Sequence, residues 1–332
     1  MMANREKVAA YGAWAAVCFF WGTTYLAIRV GLETLTPMLF GGLRFLIAGV
    51  VLFLIMSRQR NVRLPVGREW FDLCLVGLLL LGVGNGLVVW AEQWVSSGMA
   101  ALLVATGPFW VAGLEASRRG GERVTLWSVA GMLVGFSGLA MLVAPNLFGA
   151  SLGGKFLLGA IGLQVACLSW AVGSVYSKQR PTGVNPLMGA AVQMLVAGAA
   201  LTLVGSAAGE WGRIGFSARS LGALAYLVVF GSIVAYGSFT YAMQKLPLSI
   251  VSTYAYINPV IAIILGWMLL SEPLGWRVWA ATVVILGGVA LVKAGPGLSA
   301  RRAGRTTADD DERSDVAVSV APRAAKACGA SG

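Results

Sequence analysis

The sequence contains no histidine and very little aspartate. Among its 332 residues there is no histidine, and Asp72 is the only aspartate before residue 296. Histidine is the commonest general base, proton relay and metal ligand near neutral pH. A catalytic aspartate pair inside the apolar part of the chain cannot form from one residue. These absences argue against an intramembrane enzyme, so no enzymatic activity is predicted.

Cysteine and charge are also scarce. The four cysteines, Cys18, Cys74, Cys167 and Cys328, form no CxxC pair, so the sequence predicts neither a metal site nor a disulfide framework, and no cofactor. Charged residues make up 12% of the chain, whereas a soluble domain has about a quarter. Hydrophobic residues reach 58% and the mean hydropathy is +0.77. This composition is typical of a membrane protein.

The apolar residues fall into ten runs, each long enough to cross a bilayer as a helix. Their approximate limits are residues 9–29, 37–56, 71–91, 96–117, 125–144, 156–177, 186–207, 220–242, 248–270 and 277–294. The connections between them are short. Residues 296–332 are polar and contain a DDDE run, which predicts a disordered tail.

The basic residues that give the chain its net charge of +11 are distributed as in a multi-pass membrane protein. If the ten spans alternate in direction, the N-terminus and the basic segments 58–68, 118–123 and 178–180 share one side. The other side carries fewer basic residues. Because basic loops stay inside, both termini and the tail are predicted to be cytoplasmic. The same distribution explains the high isoelectric point without a nucleic-acid partner, and it predicts a multi-pass membrane protein.

The chain repeats itself at an offset of about 150 residues. The clearest matches, at offsets of 149 to 151, are Trp21 with Trp170, Pro37 with Pro186, Pro108 with Pro259, and Glu122 with Glu272. Five spans per repeat is an odd number, so the second copy crosses the membrane in the opposite sense. The prediction is therefore an all-α membrane protein of ten transmembrane helices in two inverted repeats, at residues 8–145 and 155–295. Such architectures place a substrate site near the midplane between the halves.

Arg44 lies inside the second apolar run, in GGLRFLIAG (residues 41–49). A charge there is costly and is expected to face the bundle interior or a wet cavity. Its match in the second repeat is Gln193, and each lies seven residues past a matched proline. One interpretation is that Arg44 binds a substrate carboxylate or forms a gate with Glu92 or Glu33. The other is that it ties helices together through main-chain carbonyls.

Other candidate residues also carry two interpretations. Glu92, in WAEQW, is either a gating or coupling group or the end of the third span. Pro108 and Pro259 are either paired hinges or plain kinks. Glu122 and Glu272 are most simply read as caps of the fifth and tenth helices. Trp21 and Trp170 are either aromatic walls for an organic substrate or packing residues. The other residues assigned to the substrate path, besides Arg44 and Gln193, are Tyr25, Asn85, Ser174, Tyr236, Tyr256 and Asn258.

Several segments together resemble the drug/metabolite transporter superfamily, in the form with two tandem EamA domains. They are WGTTY (21–25), GGLRFLIAG (41–49), LLLLGVGNG (78–86), SSGMAALLVATGP (96–108), LSWAVGSVY (168–176), FGSIVA (230–235) and TYAYINPVIAIILG (253–266). The resemblance implies a central cavity lined mainly by spans 1–4 and 6–9. It also implies a place in the inner membrane of a bacterium and export of small metabolites or drugs. Helices 5 and 10 are implied to be peripheral and able to support a homodimer.

The leading hypothesis is a secondary transporter that exports small amphipathic metabolites, such as amino acids, by alternating access. Its alternative is a multidrug or organic cation exporter, which needs a carboxylate deep in the cavity that only Glu92 or Glu115 could supply. A non-transporting scaffold and an intramembrane enzyme are the least favoured. Proton coupling, exchange and facilitated diffusion all stay open as the driving mechanism.

Overall fold

The computed structural model describes residues 2–117, 126–148, 153–246, 251, 254–272, 275–291 and 294. Over these residues the chain is helical and contains no strand. In chain order the helices are α1 (Met2–Gly31), α2 (Pro37–Ser57), α3 (Arg68–Ala91), α4a (Ser97–Val104), α4b (Gly107–Ala116), α5 (Leu126–Phe148), α6 (Gly153–Gln179), α7 (Pro186–Ala207), α8 (Ala218–Lys245), α9 (Tyr254–Leu270) and α10 (Trp276–Leu291). The predicted tail, residues 296–332, lies outside the described residues.

Seven of the described helical segments are long and apolar enough to cross a membrane: α1, α2, α3, α4a with α4b, α6, α7 and α8. The other three helices contribute shorter apolar stretches, Val129–Gly138, Ile257–Leu270 and Trp276–Leu291. The prediction of an all-helical membrane protein is confirmed. The count of ten spans and the cytoplasmic termini stay predictions.

Helices α2 and α7, the second helix of each half, begin in similar ways. Both helices begin at a proline, Pro37 and Pro186, because the first helical position needs no N–H donor. The side chain of Asn185 caps α7 by accepting a hydrogen bond from Leu187 N at 3.0 Å. At α2, the carboxylate of Glu210 accepts instead from Leu39 N at 2.9 Å. Thus a residue of the second half caps a helix of the first.

Helices α2 and α7 form the most extensive helix pair among the described elements. Glycines allow their backbones to approach closely. A Cβ atom on Gly42 would lie 2.8 Å from Thr202 N, and one on Gly198 would lie 2.6 Å from Leu46 N. This crossing joins the two repeats at the second helix of each.

Helices α3 and α8 each contain one π-helical segment, Leu78–Asn85 and Leu227–Val234. These segments are related by the same offset as Trp21 and Trp170, so the internal repeat extends to this backbone distortion. π-Helical turns inside α-helices frequently occur at functional sites. The sequence patterns did not predict them.

Helices α5 and α10 pack against each other within the chain. A Cβ atom on Gly288 would lie 2.5 Å from Gly135 N and 2.6 Å from Gly131 O. Apolar side chains on both helices nevertheless stay exposed, among them Leu133 at 68% and Val283 at 71%. Such surfaces are expected where lipid is the solvent. A homodimer through these helices stays a prediction and would have to use faces other than the glycine contact.

Candidate functional site

A cavity of about 150 Å³ lies between the two halves of the molecule. Helices α1, α2, α3, α4a, α4b, α6, α8 and α9 contribute to its lining, and α7 contributes none of the described lining residues. The residues predicted from sequence that line it are Trp21, Tyr25, Arg44, Asn85, Pro108, Trp170, Ser174, Asn258 and Pro259. These residues come from distant parts of the chain, and the fold brings them together around one space.

Four aromatic rings form one wall of the cavity. Trp21 and Trp170, the matched tryptophans of the repeat, meet edge to face with ring centroids 5.6 Å apart. The ring centroid of Trp21 also lies 5.0 Å from that of Phe239 and 5.0 Å from that of Tyr254. The indole N–H of Trp21 donates to the carbonyl of Gly231, in the π-helical segment of α8, at 3.3 Å. Phe239 was not predicted from the sequence, where it is one aromatic residue among many in apolar runs.

Arg44 is buried, with 2% of its surface exposed, and it reaches the cavity from α2. Its Nε donates to the Ser232 hydroxyl at 2.8 Å, and its Nη1 donates to Asn85 Oδ1 at 3.4 Å. Ser232 lies in the π-helical segment of α8, and Asn85 ends the corresponding segment of α3. The guanidinium is therefore positioned by both repeats. Among the described residues, no carboxylate lies within salt-bridge distance of it.

The two matched prolines do not shape their helices in the same way. The helix is interrupted at Ala105 and Thr106, just before Pro108, so α4a and α4b are separate. Pro259 instead lies inside α9. Gln164 of α6 satisfies polar groups at the interruption, accepting from the Thr106 hydroxyl at 3.0 Å and donating to Leu103 O at 3.2 Å. The polar Gln164 in an otherwise apolar run was the sequence signal for this support.

Gln193 and Tyr236 do not line the cavity, although the Tyr236 ring packs behind Phe239 of the aromatic wall. The Tyr236 hydroxyl donates to Gln193 Oε1, and both side chains are buried. Gln193 packs behind α3, where a Cβ atom on Gly77 would lie 2.7 Å from the Gln193 Cα. The inverted partner of Arg44 is thus a buried, hydrogen-bonded amide that does not face the cavity. The main chain of Tyr256 belongs to α9, and its side chain lies outside the described residues.

The model of the EamA-like transporter family matches the chain twice, at residues 9–144 and 157–294. The chain belongs to the EamA-like transporter family. It is 38% identical to the "Uncharacterized inner membrane transporter YedA" of Escherichia coli (strain K12), over 89% of this chain and 94% of that protein. It is 27% identical to the "Uncharacterized transporter YoaV" of Bacillus subtilis, over 82% and 93%. A solved crystal structure has the same fold, with a TM-score of 0.63 and 20% identity, over 89% of this chain and 98% of that one.

Membership of the EamA-like family makes the chain a multi-pass membrane transporter and not an enzyme. The family resemblance drawn from the sequence segments is confirmed. The matched ranges each contain one set of the helices that surround the cavity. The cavity therefore lies where two EamA repeats meet, which is the general position of substrate sites in repeat-built transporters.

Contacts between the two EamA repeats close one end of the bundle. This end contains residues 31–39 and 91–98 and is here called the Glu92 end. The Glu272 carboxylate accepts from Ser97 N at 2.9 Å, from the Ser97 hydroxyl at 2.9 Å and from Gly98 N at 3.2 Å. Gly215 N donates to Thr34 O at 2.8 Å. Glu272 therefore caps α4a of the other repeat, which differs from the sequence interpretation that it caps its own helix. Its sequence partner Glu122 lies outside the described residues.

Glu92 and Glu33 both lie at the Glu92 end, and neither pairs with Arg44. Glu33 is exposed and forms an ion pair with Arg219 at 3.4 Å. Glu92 is fully buried, and its main-chain carbonyl accepts from the guanidinium of Arg29. The direct Arg44–Glu33 or Arg44–Glu92 gate considered from the sequence is thus not formed in this conformation. Toward the opposite end the lining residues Val111, Ser174 and Met243 are partly exposed, so the bundle is more tightly sealed at the Glu92 end.

Proposed function

We propose that this EamA transporter exports small amphipathic metabolites that carry a carboxylate, such as amino acids or related compounds, by alternating access. The observation that carries the proposal is Arg44, the one charged residue among the described lining residues. A guanidinium has five N–H donors, and neutral acceptors engage Nε and Nη1. The remaining donors are suited to bind a carboxylate through charge-assisted hydrogen bonds.

The rest of the cavity wall suits the apolar part of such a molecule. Trp21, Trp170, Phe239 and Tyr254 supply ring faces and edges, and Asn85 and Asn258 supply amide groups. The aromatic wall also favours a second candidate substrate, an organic cation, because cations bind over aromatic faces. The described lining holds no carboxylate to balance a cation, and Arg44 would repel it.

Alternating access is supported by the two inverted repeats and by a cavity that both of them line. We propose ten spans, both termini cytoplasmic and residence in the inner membrane, the location printed in the name of the Escherichia coli relative. In that orientation the sealed Glu92 end faces the periplasm. A reporter that is active only in the cytoplasm, fused after residue 295, should be active. Activity only from a periplasmic reporter would contradict this topology.

The decisive experiment is counterflow in proteoliposomes, with labelled amino acids, small organic acids and organic cations. Arg44→Gln copies the residue at the matched position of the second repeat, and Arg219→Gln is the matched control because Arg219 is exposed. We expect wild type and Arg219→Gln to exchange zwitterions or acids and Arg44→Gln to lose this exchange while keeping its melting temperature. Equal exchange of cations by all three proteins, without exchange of acids, would overturn the proposed substrate class.

A further inference from the structure

The carboxyl group of Glu92 is buried and accepts no hydrogen bond from the part of the chain that the structure describes. It has 0% exposure, and both Oε1 and Oε2 lack a partner among the described residues. The other buried acids differ. Glu210 accepts from Leu39 N, and Asp72 accepts from the Tyr176 hydroxyl at 2.6 Å. A buried charge without donors is strongly disfavoured, and binding a proton is the usual way to remove it.

The position of Glu92 adds a second reason against a charged side chain. It is the C-cap residue of α3, and the C-terminal end of a helix carries partial negative charge that disfavours an anion. Glu92 lies one helical turn after Val88, which lines the cavity. The carboxyl group therefore lies between the cavity and the sealed end of the bundle.

The ionisable groups around Glu92 come from several elements. Tyr25 and Arg29 face it from α1, Arg44 from α2, and Glu272 from the connection after α9. Arg29 is engaged with the main-chain carbonyls of Glu92 and Gln93, so it does not pair with the carboxylate. On the α6 side the adjacent turn is apolar, and its nearest charge, Lys155, is exposed. The negative charge of Glu272 opposes a second negative charge at Glu92, whereas the positive charges of Arg29 and Arg44 favour it. Burial without donors outweighs these charges and favours the protonated side chain.

We propose that Glu92 is the proton-binding site that couples transport to the proton gradient, an inference that rests on the proposed function. In the conformation sealed at the Glu92 end, the carboxyl group holds a proton. Substrate that enters the cavity displaces this proton, so the O–H bond of Glu92 breaks and the proton leaves past Val88 and Tyr25 to the cytoplasmic side. When the Glu272 contacts to Ser97 and Gly98 then separate, the substrate leaves and the Glu92 carboxylate binds one proton from the periplasm, which forms the O–H bond again before the end closes. One proton thus enters for each substrate exported, and Glu92 returns to its protonated state.

The test compares two modes of transport in proteoliposomes, using the substrate that wild type exchanges in counterflow. Counterflow needs no net proton movement, whereas accumulation driven by an imposed pH gradient does. Glu92→Gln keeps the size of the side chain and removes the titratable group. We expect this variant to retain counterflow and to lose pH-gradient-driven accumulation. Glu33→Gln is the control because Glu33 is an exposed acid at the same end, and it should retain both modes.

The outcomes separate this inference from the proposed function. If wild type shows no counterflow with any compound, the proposed function fails. If wild type shows counterflow and Glu92→Gln still accumulates substrate from a pH gradient, Glu92 is not the coupling site. Should the variant not fold, a pH-sensitive dye inside wild-type liposomes replaces it. Net substrate uptake by wild type into liposomes without internal substrate, with no accompanying proton movement, would overturn the inference.

Discussion

At the scale of single residues, Arg44 shows how a charge is accommodated inside an apolar bundle. Its burial would be costly without polar partners. Ser232 and Asn85 provide them, one from each repeat. The same two contacts fix the direction of the guanidinium, so they determine where a substrate carboxylate would bind.

Replacing Ser232 by alanine is predicted to weaken transport without destroying the fold. A hydrogen bond to a charged group contributes about 1.5 kcal/mol or more, and about 1.4 kcal/mol corresponds to a factor of ten. Because the lost hydrogen bond positions the guanidinium that binds the substrate carboxylate, we expect the KM for substrate uptake to rise about tenfold or more. Ser137→Ala is the control, because Ser137 is exposed and its hydroxyl donates to Val134 O of its own helix. An unchanged KM in Ser232→Ala would show that Arg44 does not depend on this contact.

At the scale of elements, the close crossing of α2 and α7 and the paired π-helical segments define the centre of the molecule. The crossing depends on glycines, because side chains larger than hydrogen would meet main-chain atoms. The π-helical segments of α3 and α8 place Asn85, Gly231 and Ser232 against groups of α1 and α2. Distorted turns in these two helices therefore shape one side of the cavity.

Gly42→Ala is predicted to lower the apparent melting temperature in detergent. Overpacking of a well-packed contact costs about 1–3 kcal/mol, and the added Cβ would lie 2.8 Å from Thr202 N. Gly222→Ala is the matched control, since nothing lies within 4 Å of a Cβ there. In a helix that control should keep or raise stability, by up to about 1 kcal/mol. Equal melting temperatures for the two variants would contradict the close crossing.

At the scale of the whole molecule, contacts between repeats decide which end is sealed. Glu272 alone makes three hydrogen bonds to the start of α4a. In a transporter that alternates between two conformations, such contacts exist in one state and are absent in the other. Removing them should shift the population toward the conformation that is open at the Glu92 end.

This shift can be measured through Cys167, which lines the cavity. In a chain whose other cysteines are replaced by alanine, Glu272→Ala is predicted to speed the reaction of Cys167 with a membrane-impermeant maleimide added to the periplasmic side. The control is Glu33→Ala, which breaks only an exposed ion pair of small energetic value. Identical labelling rates for Glu272→Ala and the unmodified background would show that Glu272 does not hold the end closed.

The sequence by itself determined the class, the family and much of the cavity lining. Apolar runs of span length and the scarcity of charge require a lipid environment, whatever the details of packing. Trp21, Arg44 and Pro108 stood out because a costly or rare residue type lay in an apolar context or recurred at the repeat offset. Those features are local, or periodic along the chain, and so they are visible without coordinates.

Only the tertiary structure decided which polar groups meet. Gln193 aligns with Arg44 in the repeat, yet it does not line the cavity and accepts a hydrogen bond from Tyr236. Glu272 caps a helix of the other repeat, and Ser232 and Gln164 support Arg44 and the α4 interruption. These contacts join residues far apart in the chain and depend on the exact rotation of each helix, which a run that is apolar on all faces does not specify. For the same reason Glu92 could be recognised as an acid without donors only once its neighbours were known.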